Sequence, residues 1–318
     1  MSSTPTSSAP RLALMFPGQG SQRPGMGRPW ADRPGWAAVE RASEISGQDV
    51  AALLLDADEE TLRRTDNAQL ATFVLEWVIL GELREEIPAV LTPTACAGHS
   101  LGEYTALAAA GVIGFDDAVR LVAARGRAMR GACAGTPGTM SAVLGLDLGR
   151  LEQAAAELRA EGARVWVANL NSPQQAVLSG DPEGVARCAE AAERLGALRV
   201  QPLTVDGAFH TPLMLTALPA FGRVVDSVRF GSGRVPVVAN VDGRPYWNLA
   251  PWPELLKQQM VSPVRWTDSV RTLVGELGCD LLVEIGPGRA LGGMAKAIAP
   301  AVPRLSISEP SKLALLPA

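Results

Sequence analysis

The sequence TACAGHSLGEYTALAAAG at residues 94–111 combines a short strand, a sharp turn and a helix. Thr94 to Ala97 is typical of a short buried strand, and Gly111 is typical of a helix end. A second apolar run, Leu12 to Phe16, indicates another buried strand, which enters a glycine-containing loop. With the later strand patterns VPVVAN and DLLVEIG, these segments predict an α/β fold with a parallel sheet and an α/β-hydrolase-like core.

The segment between about Gly135 and Pro202 has a different order of elements, βαββαβ. This order is typical of a ferredoxin-like unit, so we predict that such a subdomain interrupts the main domain. The predicted division is a disordered tail at residues 1–10, a main domain at 11–134 and 203–307, a subdomain at 135–202, and a C-terminal tail at 308–318.

The composition excludes several classes of protein. The chain has 318 residues, 47% of them hydrophobic, and its 29 basic and 33 acidic residues give a net charge of −4. Without a dense basic block, nucleic acid is not an expected partner. The apolar stretch from Tyr104 to Phe115 is far shorter than the roughly 20 residues of a membrane span, so no membrane is expected. The polar N-terminus lacks a signal peptide and predicts a cytoplasmic protein.

Ser100 is a candidate nucleophile because Gly98 and Gly102 flank it between the predicted strand and helix. Small flanking residues permit the strained turn that raises a serine hydroxyl above the backbone. The free N–H groups of the helix N-terminus, that of Leu101 first, would face a developing oxyanion. The alternative is an ordinary glycine-rich turn.

A serine needs a base at neutral pH, and the chain has only two histidines. His99 adjoins Ser100, and adjacent side chains in a turn diverge. His210 lies in GAFHTP, immediately before Thr211 as a predicted helix N-cap, at the kind of strand-to-helix edge where catalytic groups occur. His210 is therefore the candidate base, and a structural histidine bonded to backbone is the alternative. The four cysteines are too widely spaced for a zinc site, so no metal is expected.

Arg125 lies in the middle of the apolar stripe of a helix predicted from Asp116 to about Met129. An arginine that faces the core costs several kcal/mol unless it is paired. A bidentate guanidinium would suit a substrate carboxylate. The alternatives are a buried ion pair with a protein carboxylate and a side chain that extends out to solvent.

Six ordered motifs resemble one family. They are FPGQGSQ at 16–22, GHSLGEY at 98–104, the Arg125-Gly126 helix, GAFH at 207–210, SPVRW at 262–266 and EIGPG at 284–288. Together they resemble the malonyl-CoA:acyl carrier protein transacylase family, which includes the acyltransferases of polyketide synthases. The resemblance extends from about Leu12 to Ile307.

The resemblance implies a Ser-His dyad, with Ser100 as nucleophile and His210 as base. It also implies that the backbone carbonyl of Gln259 orients the histidine. The backbone N–H groups of Gln19 and Leu101 would form the oxyanion hole.

The resemblance further implies that Arg125 holds the free carboxylate of a malonyl-type acyl group. The substrate would be a coenzyme A thioester such as malonyl-CoA, the partner an acyl carrier protein, and no cofactor would be bound permanently.

The resemblance also implies that Phe209 favours malonyl over methylmalonyl, because its ring would fill the space that an α-methyl group needs. Gly207 stands where the malonyl subgroup usually has histidine. Stand-alone fatty-acid enzymes often have serine at position 209, so the sequence is closer to the discrete, trans-acting polyketide type.

Three alternatives remain at this stage: a thioesterase or acyl hydrolase, a transacylase for an unusual acyl group, and an inactive docking subunit. Carrier proteins of this type are acidic, so a basic rim near the site is expected. Its candidates are Arg187, Arg194, Arg199 and Arg289.

Overall fold

The computed structural model describes residues 10–87, 92–205, 207–248 and 251–316. Ten strands and twelve α-helices lie in these ranges. The strands are Leu12–Phe16 (β1), Ala95–Gly98 (β2), Thr139–Leu144 (β3), Val165–Ser172 (β4), Gln175–Gly180 (β5), Arg199–Pro202 (β6), Val237–Val238 (β7), Pro245–Tyr246 (β8), Leu281–Ile285 (β9) and Arg304–Ile307 (β10).

The α-helices pack against the strands of both the main body and the insert. They are Ala37–Ser46 (α1), Val50–Leu55 (α2), Glu59–Arg63 (α3), Thr65–Glu86 (α4), Gly102–Ala110 (α5), Phe115–Gly135 (α6), Leu148–Ala160 (α7), Pro182–Arg194 (α8), Leu218–Val225 (α9), Trp252–Val261 (α10), Trp266–Arg271 (α11) and Ala290–Ile298 (α12). Among the described residues, no helix is both long enough and apolar enough to cross a membrane.

The main sheet has the strand order β10-β9-β1-β2-β7-β8. All neighbours pair in parallel except β7 and β8, which form an antiparallel edge. β1 lies near the centre, and its alternate residues enter different apolar clusters on the two faces: Leu14 packs on one side and Met15 on the other. The predicted parallel sheet is therefore confirmed, and β1 has the predicted bounds.

Two predicted boundaries differ from the structure. The strand predicted at Thr94 to Ala97 is shifted by one residue, to Ala95–Gly98. The helix expected to end near Met129 continues to Gly135. Buried Ala132 keeps the last turns packed against the core, and the helix ends where Thr136, which precedes a proline, becomes extended.

The insert follows the predicted order, β3-α7-β4-β5-α8-β6. Its antiparallel sheet has the order β4-β5-β3-β6, with the first and third strands in the middle, as in ferredoxin-like units. It has an apolar cluster of its own that includes Val143 and Leu178. We call residues 139–202 the inserted lobe. All of its elements lie inside the predicted range 135–202, and the division into separate domains stays a prediction.

The inserted lobe is joined to the main body by backbone hydrogen bonds. Leu170 N donates to Val264 O over 2.9 Å, and Val264 N donates to Ala168 O over 2.9 Å. These bonds fix β4 against the segment just before α11, so one wall of any cleft between the two parts has a defined position.

Of the predicted tails, residues 1–9 lie outside the described residues. The C-terminal segment contains a short 3-10 helix, Pro310–Leu315. Leu313 is buried and packs against the main core, which explains why this segment is ordered against the body.

Candidate active site

The turn after β2 holds Ser100 in a left-handed conformation, with φ of 53°. A Cβ added to Gly98 would lie 1.9 Å from the carbonyl carbon of Gly102, and one added to Gly102 would lie 2.0 Å from Phe16 O. Both positions therefore accept only glycine. The absence of a side chain at Gly102 lets the turn after β2 lie in direct contact with the backbone at the end of β1. The sequence motif produces the sharp strand-to-helix turn that was predicted.

The Ser100 hydroxyl contacts one of the two histidines. Ser100 Oγ lies 2.7 Å from His210 Nε2. His210 Nδ1 lies 2.8 Å from the backbone carbonyl of Gln259. Because a carbonyl only accepts, Nδ1 carries the proton and donates it there, which leaves Nε2 as the acceptor for the serine hydroxyl.

The environment of His210 keeps its imidazole neutral. The ring is buried, and burial together with the nearby positive charge of Arg125 lowers the His210 pKa to about 3. The neutral form, which can accept a proton, therefore predominates at neutral pH. His210 itself has φ of 59°, so both members of the pair occupy left-handed backbone positions.

The second histidine has a different partner. His99 Nε2 lies 2.8 Å from Asn171 Oδ1 of the inserted lobe, and its ring meets Trp266 edge-on at 5.6 Å. As the sequence argument expected, the side chains of His99 and Ser100 diverge. Burial lowers the His99 pKa as well.

Arg125 is only 1% exposed and lies directly beside Ser100. Its Nη2 donates to Ser100 Oγ over 3.0 Å and to Gln259 Oε1 over 2.9 Å. Its Nη1 donates to Gln69 Oε1 over 2.8 Å, and the guanidinium lies 5.4 Å from the Tyr104 ring centroid. No carboxylate of the described residues lies within ion-pair distance of this guanidinium, so neither of the two alternatives, an internal ion pair or a side chain that extends to solvent, occurs.

Three polar residues that the sequence analysis did not identify complete the surroundings of Ser100. Gln69 on α4 bonds Arg125, as described above. Asn240, just after β7, accepts from Ser100 N through Oδ1 over 2.7 Å and donates to Gly98 O through Nδ2 over 2.7 Å. Glu103 on α5 is buried against Asn240 and Gln259. The available signals were a glutamine within a long, mostly apolar helical stretch and an asparagine at the carboxyl end of a parallel strand.

A cavity of about 280 Å³ opens above Ser100 between the main body and the inserted lobe. The main body contributes the loop at 17–21, Gln69, Ser100, Met129, His210 and the start of α12. The inserted lobe contributes Met140, Ala142, Asn169, Asn171, Gln175 and Val177. Ser100 and His210 therefore line a cleft between the two parts, whereas Arg125, Gln259 and Leu101 are not among its lining residues.

Gln19 and Phe209 also line this cavity. The loop of Gln19 packs on the Ser100 turn, since a Cβ at Gly18 would lie 2.5 Å from His99 O. Leu101 is buried at the start of α5, next to Ser100. Phe209 is buried too, and its carbonyl accepts a hydrogen bond of 2.8 Å from Ser179 Oγ of the inserted lobe.

The predicted basic rim is only partly assembled. Arg289 is exposed and immediately precedes Ala290, which lines the cavity. Arg187 and Arg194 lie on α8, where they pair with Glu161 and Glu190. Arg199 is exposed on β6 of the inserted lobe.

Comparison with known proteins agrees with this geometry. Residues 14–295 match the acyl transferase domain family. The malonyl CoA-acyl carrier protein transacylase of Bacillus subtilis (strain 168) is 38% identical over 307 residues, which cover 96% of each chain. The protein of the same name from Escherichia coli (strain K12) is 37% identical over 308 residues, 96% of this chain and 98% of that one.

Solved structures give the same result. A malonyl-transacylase in complex with its type II PKS acyl-carrier protein superposes with a TM-score of 0.90 at 36% identity, covering 96% of this chain and 98% of that one. The malonyl-CoA:acyl carrier protein transacylase of Xanthomonas oryzae pv. oryzae has a TM-score of 0.90 at 34% identity, covering 96% of this chain and 97% of that one. The chain therefore belongs to the acyl transferase domain family, among the malonyl-CoA:acyl carrier protein transacylases.

Proposed function

We propose that this protein transfers a malonyl group from malonyl-CoA to the phosphopantetheine thiol of an acyl carrier protein. Ser100 would carry the acyl group between the two half-reactions, which belong to polyketide or fatty acid biosynthesis. The names of its relatives support the substrates. A cytoplasmic location, expected from the sequence, is part of the same proposal.

The observation that carries the proposal is the guanidinium of Arg125. It is buried and donates to Ser100 Oγ and to two side-chain amide oxygens, and no carboxylate of the described residues accepts from it. A buried positive charge without an ionic partner is costly. The short malonyl chain, once attached to Ser100 Oγ, would bring its own carboxylate back towards Arg125. The site therefore suits an acyl group that supplies the missing negative charge.

In the first half-reaction, Ser100 Oγ attacks the thioester carbonyl while His210 Nε2 takes its proton. The positive charge that forms on His210 is stabilised through Nδ1–H by the carbonyl of Gln259. The backbone N–H groups of Gln19 and Leu101 would donate to the tetrahedral oxyanion. When the intermediate collapses, the carbon–sulfur bond breaks and the proton on His210 passes to the coenzyme A sulfur.

In the second half-reaction, the carrier thiol takes the place of coenzyme A. His210 accepts the thiol proton, the sulfur attacks the Ser100 ester, and the serine oxygen leaves with that proton. Arg125, by holding the acyl carboxylate, would keep the ester in the position that favours the carrier over water. Phe209, which lines the cavity, would limit the space next to the α-carbon and so favour malonyl.

Intact-mass spectrometry tests this proposal directly. Mixing the protein with malonyl-CoA is expected to add the mass of one malonyl group, and Ser100→Ala is expected to prevent the addition. A holo acyl carrier protein added afterwards should gain the malonyl mass as the enzyme loses it. Absence of any adduct would contradict the proposal, and rapid loss of the adduct to water without a carrier would indicate an acyl hydrolase instead.

A further inference from the structure

Glu103 is a buried carboxylate in the first turn of α5, three residues after Ser100, and it is 1% exposed. Its Oε1 accepts a hydrogen bond of 2.7 Å from the backbone N–H of Asn240. Its Oε2 accepts one of 2.6 Å from Gln259 Nε2. Both oxygens therefore face donors from separate elements, and a first-turn position on a helix also favours negative charge.

The two residues that Glu103 contacts are those that hold the Ser100 backbone. Asn240 Oδ1 accepts from Ser100 N over 2.7 Å, and Gln259 Nε2 donates to Ser100 O over 2.8 Å. The peptide groups on both sides of the Ser100 Cα are thus bonded to side-chain amides. These bonds stabilise the left-handed backbone conformation of Ser100, which residues other than glycine seldom adopt.

Gln259 also connects Glu103 to Arg125. Its amide oxygen accepts from Arg125 Nη2 over 2.9 Å, and its amide nitrogen donates to Glu103 and to Ser100 O. The neutral amide thus lies between a positive and a negative side chain, with its dipole oriented by both. If the amide were reversed, its N–H groups would face the Arg125 donor and its oxygen would face two other oxygens.

From this arrangement we propose that Glu103 is a positioning residue for acyl transfer. Its carboxylate fixes the backbone of Asn240 and the side-chain amide of Gln259, and through these residues the Ser100 backbone and the Arg125 guanidinium. Glu103 makes no hydrogen bond with the Ser100 hydroxyl and is not among the residues that line the cavity. The inference rests on the roles proposed above for Ser100 and Arg125.

A carboxylate is required at this position because it presents two acceptors and no donor. Glutamine at position 103 would place its own NH₂ group against either Asn240 N–H or Gln259 Nε2. The Gln259 amide could relieve this contact only by reversing, and the reversed amide would repel Arg125 and Ser100 O. A change of one atom at Glu103 would therefore reach both the serine and the arginine.

The test compares Glu103→Gln with a matched buried carboxyl on a neighbouring helix. Glu76 on α4 is fully buried and accepts a hydrogen bond from Thr105 of α5, but it contacts neither Asn240 nor Gln259. We expect Glu103→Gln to slow acylation of Ser100 by malonyl-CoA about tenfold or more, as measured by quenched-flow intact mass at about pH 9, where Glu103, with a pKa of about 8, is ionised. Glu76→Gln should acylate within about twofold of wild type. That result would exclude the explanation that the loss of any buried carboxylate next to α5 disturbs the packing of this helix and so slows acylation.

A pH profile distinguishes positioning by a charge from mere packing. If the carboxylate positions the site, the wild-type acylation rate should rise with pH as Glu103 ionises, and Glu103→Gln should lose that rise. The charged groups that face Glu103 are Arg125 on α6 and Asp242 after β7. A Glu103→Gln enzyme that acylates within about twofold of wild type with an unchanged pH profile would overturn the inference.

A second variant decides the question if Glu103→Gln is not recovered in folded form. Glu103→Asp keeps the charge but is one methylene too short to reach Asn240 and Gln259 together. We expect it to acylate about tenfold more slowly while keeping the rise with pH, and a wild-type rate would overturn the inference. If wild type itself gains no malonyl mass, the proposed function fails, whereas normal wild-type loading with unaffected Glu103 variants refutes the positioning role alone.

Discussion

The floor and the wall of the cavity are built from different kinds of side chain. The floor, which we define as the lining residues Ser100, His210 and Gln69 together with Arg125 and Gln259 bonded behind them, comes from the main body and is linked by hydrogen bonds of 2.7–3.0 Å. The apolar wall consists of Met140, Ala142 and Val177 of the inserted lobe, with Phe209 bonded to that lobe through Ser179.

Because of this difference, we expect the polar floor to determine the rate of acyl transfer and the apolar wall to select the acyl group by its size. Hydrogen bonds are directional and weaken steeply with misalignment, so each floor residue has few tolerated replacements. Apolar contacts are non-directional, and a core accepts other side chains of similar volume. Floor variants should therefore lower catalysis by large factors, whereas wall variants should change which acyl group is accepted.

The largest effect is expected for Arg125→Ala, which removes the proposed carboxylate partner from the floor. Losing one side of a buried charge pair costs about 2–5 kcal/mol, or roughly 30- to 5,000-fold in kcat/KM for malonyl-CoA. Acetyl-CoA, which has no free carboxylate, should be transferred as well as before or better. Steady-state acylation with malonyl-CoA and with acetyl-CoA measures the ratio of the two kcat/KM values.

Arg127→Ala is the matched control, because Arg127 lies two residues away on the exposed side of α6. It should leave both rates within about twofold of wild type, as is usual for exposed substitutions. Malonyl transfer that survives in Arg125→Ala would remove the proposed role of the guanidinium.

A smaller and selective effect is expected from Phe209→Leu in the wall. The shorter side chain frees space in the cavity next to Ser100, so methylmalonyl-CoA should gain on malonyl-CoA. One methylene in an apolar pocket discriminates roughly 10- to 200-fold, and we expect a shift of about tenfold in the ratio of the two kcat/KM values. Competition between the two thioesters, read out by intact mass, measures that ratio.

Phe73→Leu provides the comparison for this variant. Phe73 is a buried phenylalanine on α4 that stacks on Phe115 at 6.0 Å and does not line the cavity. It should lower the thermal midpoint without changing the ratio. An unchanged ratio in Phe209→Leu would show that the wall does not select the acyl group.

The elements that carry the site could be predicted because each depends on neighbours in sequence. The strand, turn and helix around Ser100 follow from local glycine and alanine patterns, and the inward position of Arg125 follows from helical periodicity. The βαββαβ order of the inserted lobe is equally local. The length of α6 was underestimated because its last turns are stabilised by packing, which periodicity does not record.

The polar contacts around these residues could not be predicted in the same way. Asn240 and Gln259 bond to Ser100 across 140 and 159 positions of sequence. Glu103 follows the motif directly, yet at a helix start it has no pattern that separates a buried carboxylate from an exposed one. The backbone carbonyl of Gln259 was identified only through family resemblance, because a carbonyl carries no side-chain signal.

The smallest expected effect is on the pH dependence of acylation, which depends on two titratable groups near Ser100, Glu103 and His210. Burial raises the Glu103 pKa to about 8, with Arg125 and two hydrogen-bond donors acting against that rise. Burial and Arg125 lower the His210 pKa to about 3. A raised carboxyl pKa means that Glu103 ionises only as pH rises towards 8, whereas a lowered imidazole pKa means that His210 stays a neutral base far below pH 6.5.

The wild-type rate should therefore rise about tenfold as pH passes the Glu103 pKa of about 8, with no second step near 6.5. Glu103→Gln removes the first group and leaves His210 alone, so its lower rate should stay level from about pH 5.5 to 7.5. An ordinary imidazole with pKa 6.5 would instead lose about tenfold over that range. Such a loss in kcat/KM for malonyl-CoA would mean that His210 titrates as an exposed histidine does, and that the floor is open to water when the base acts.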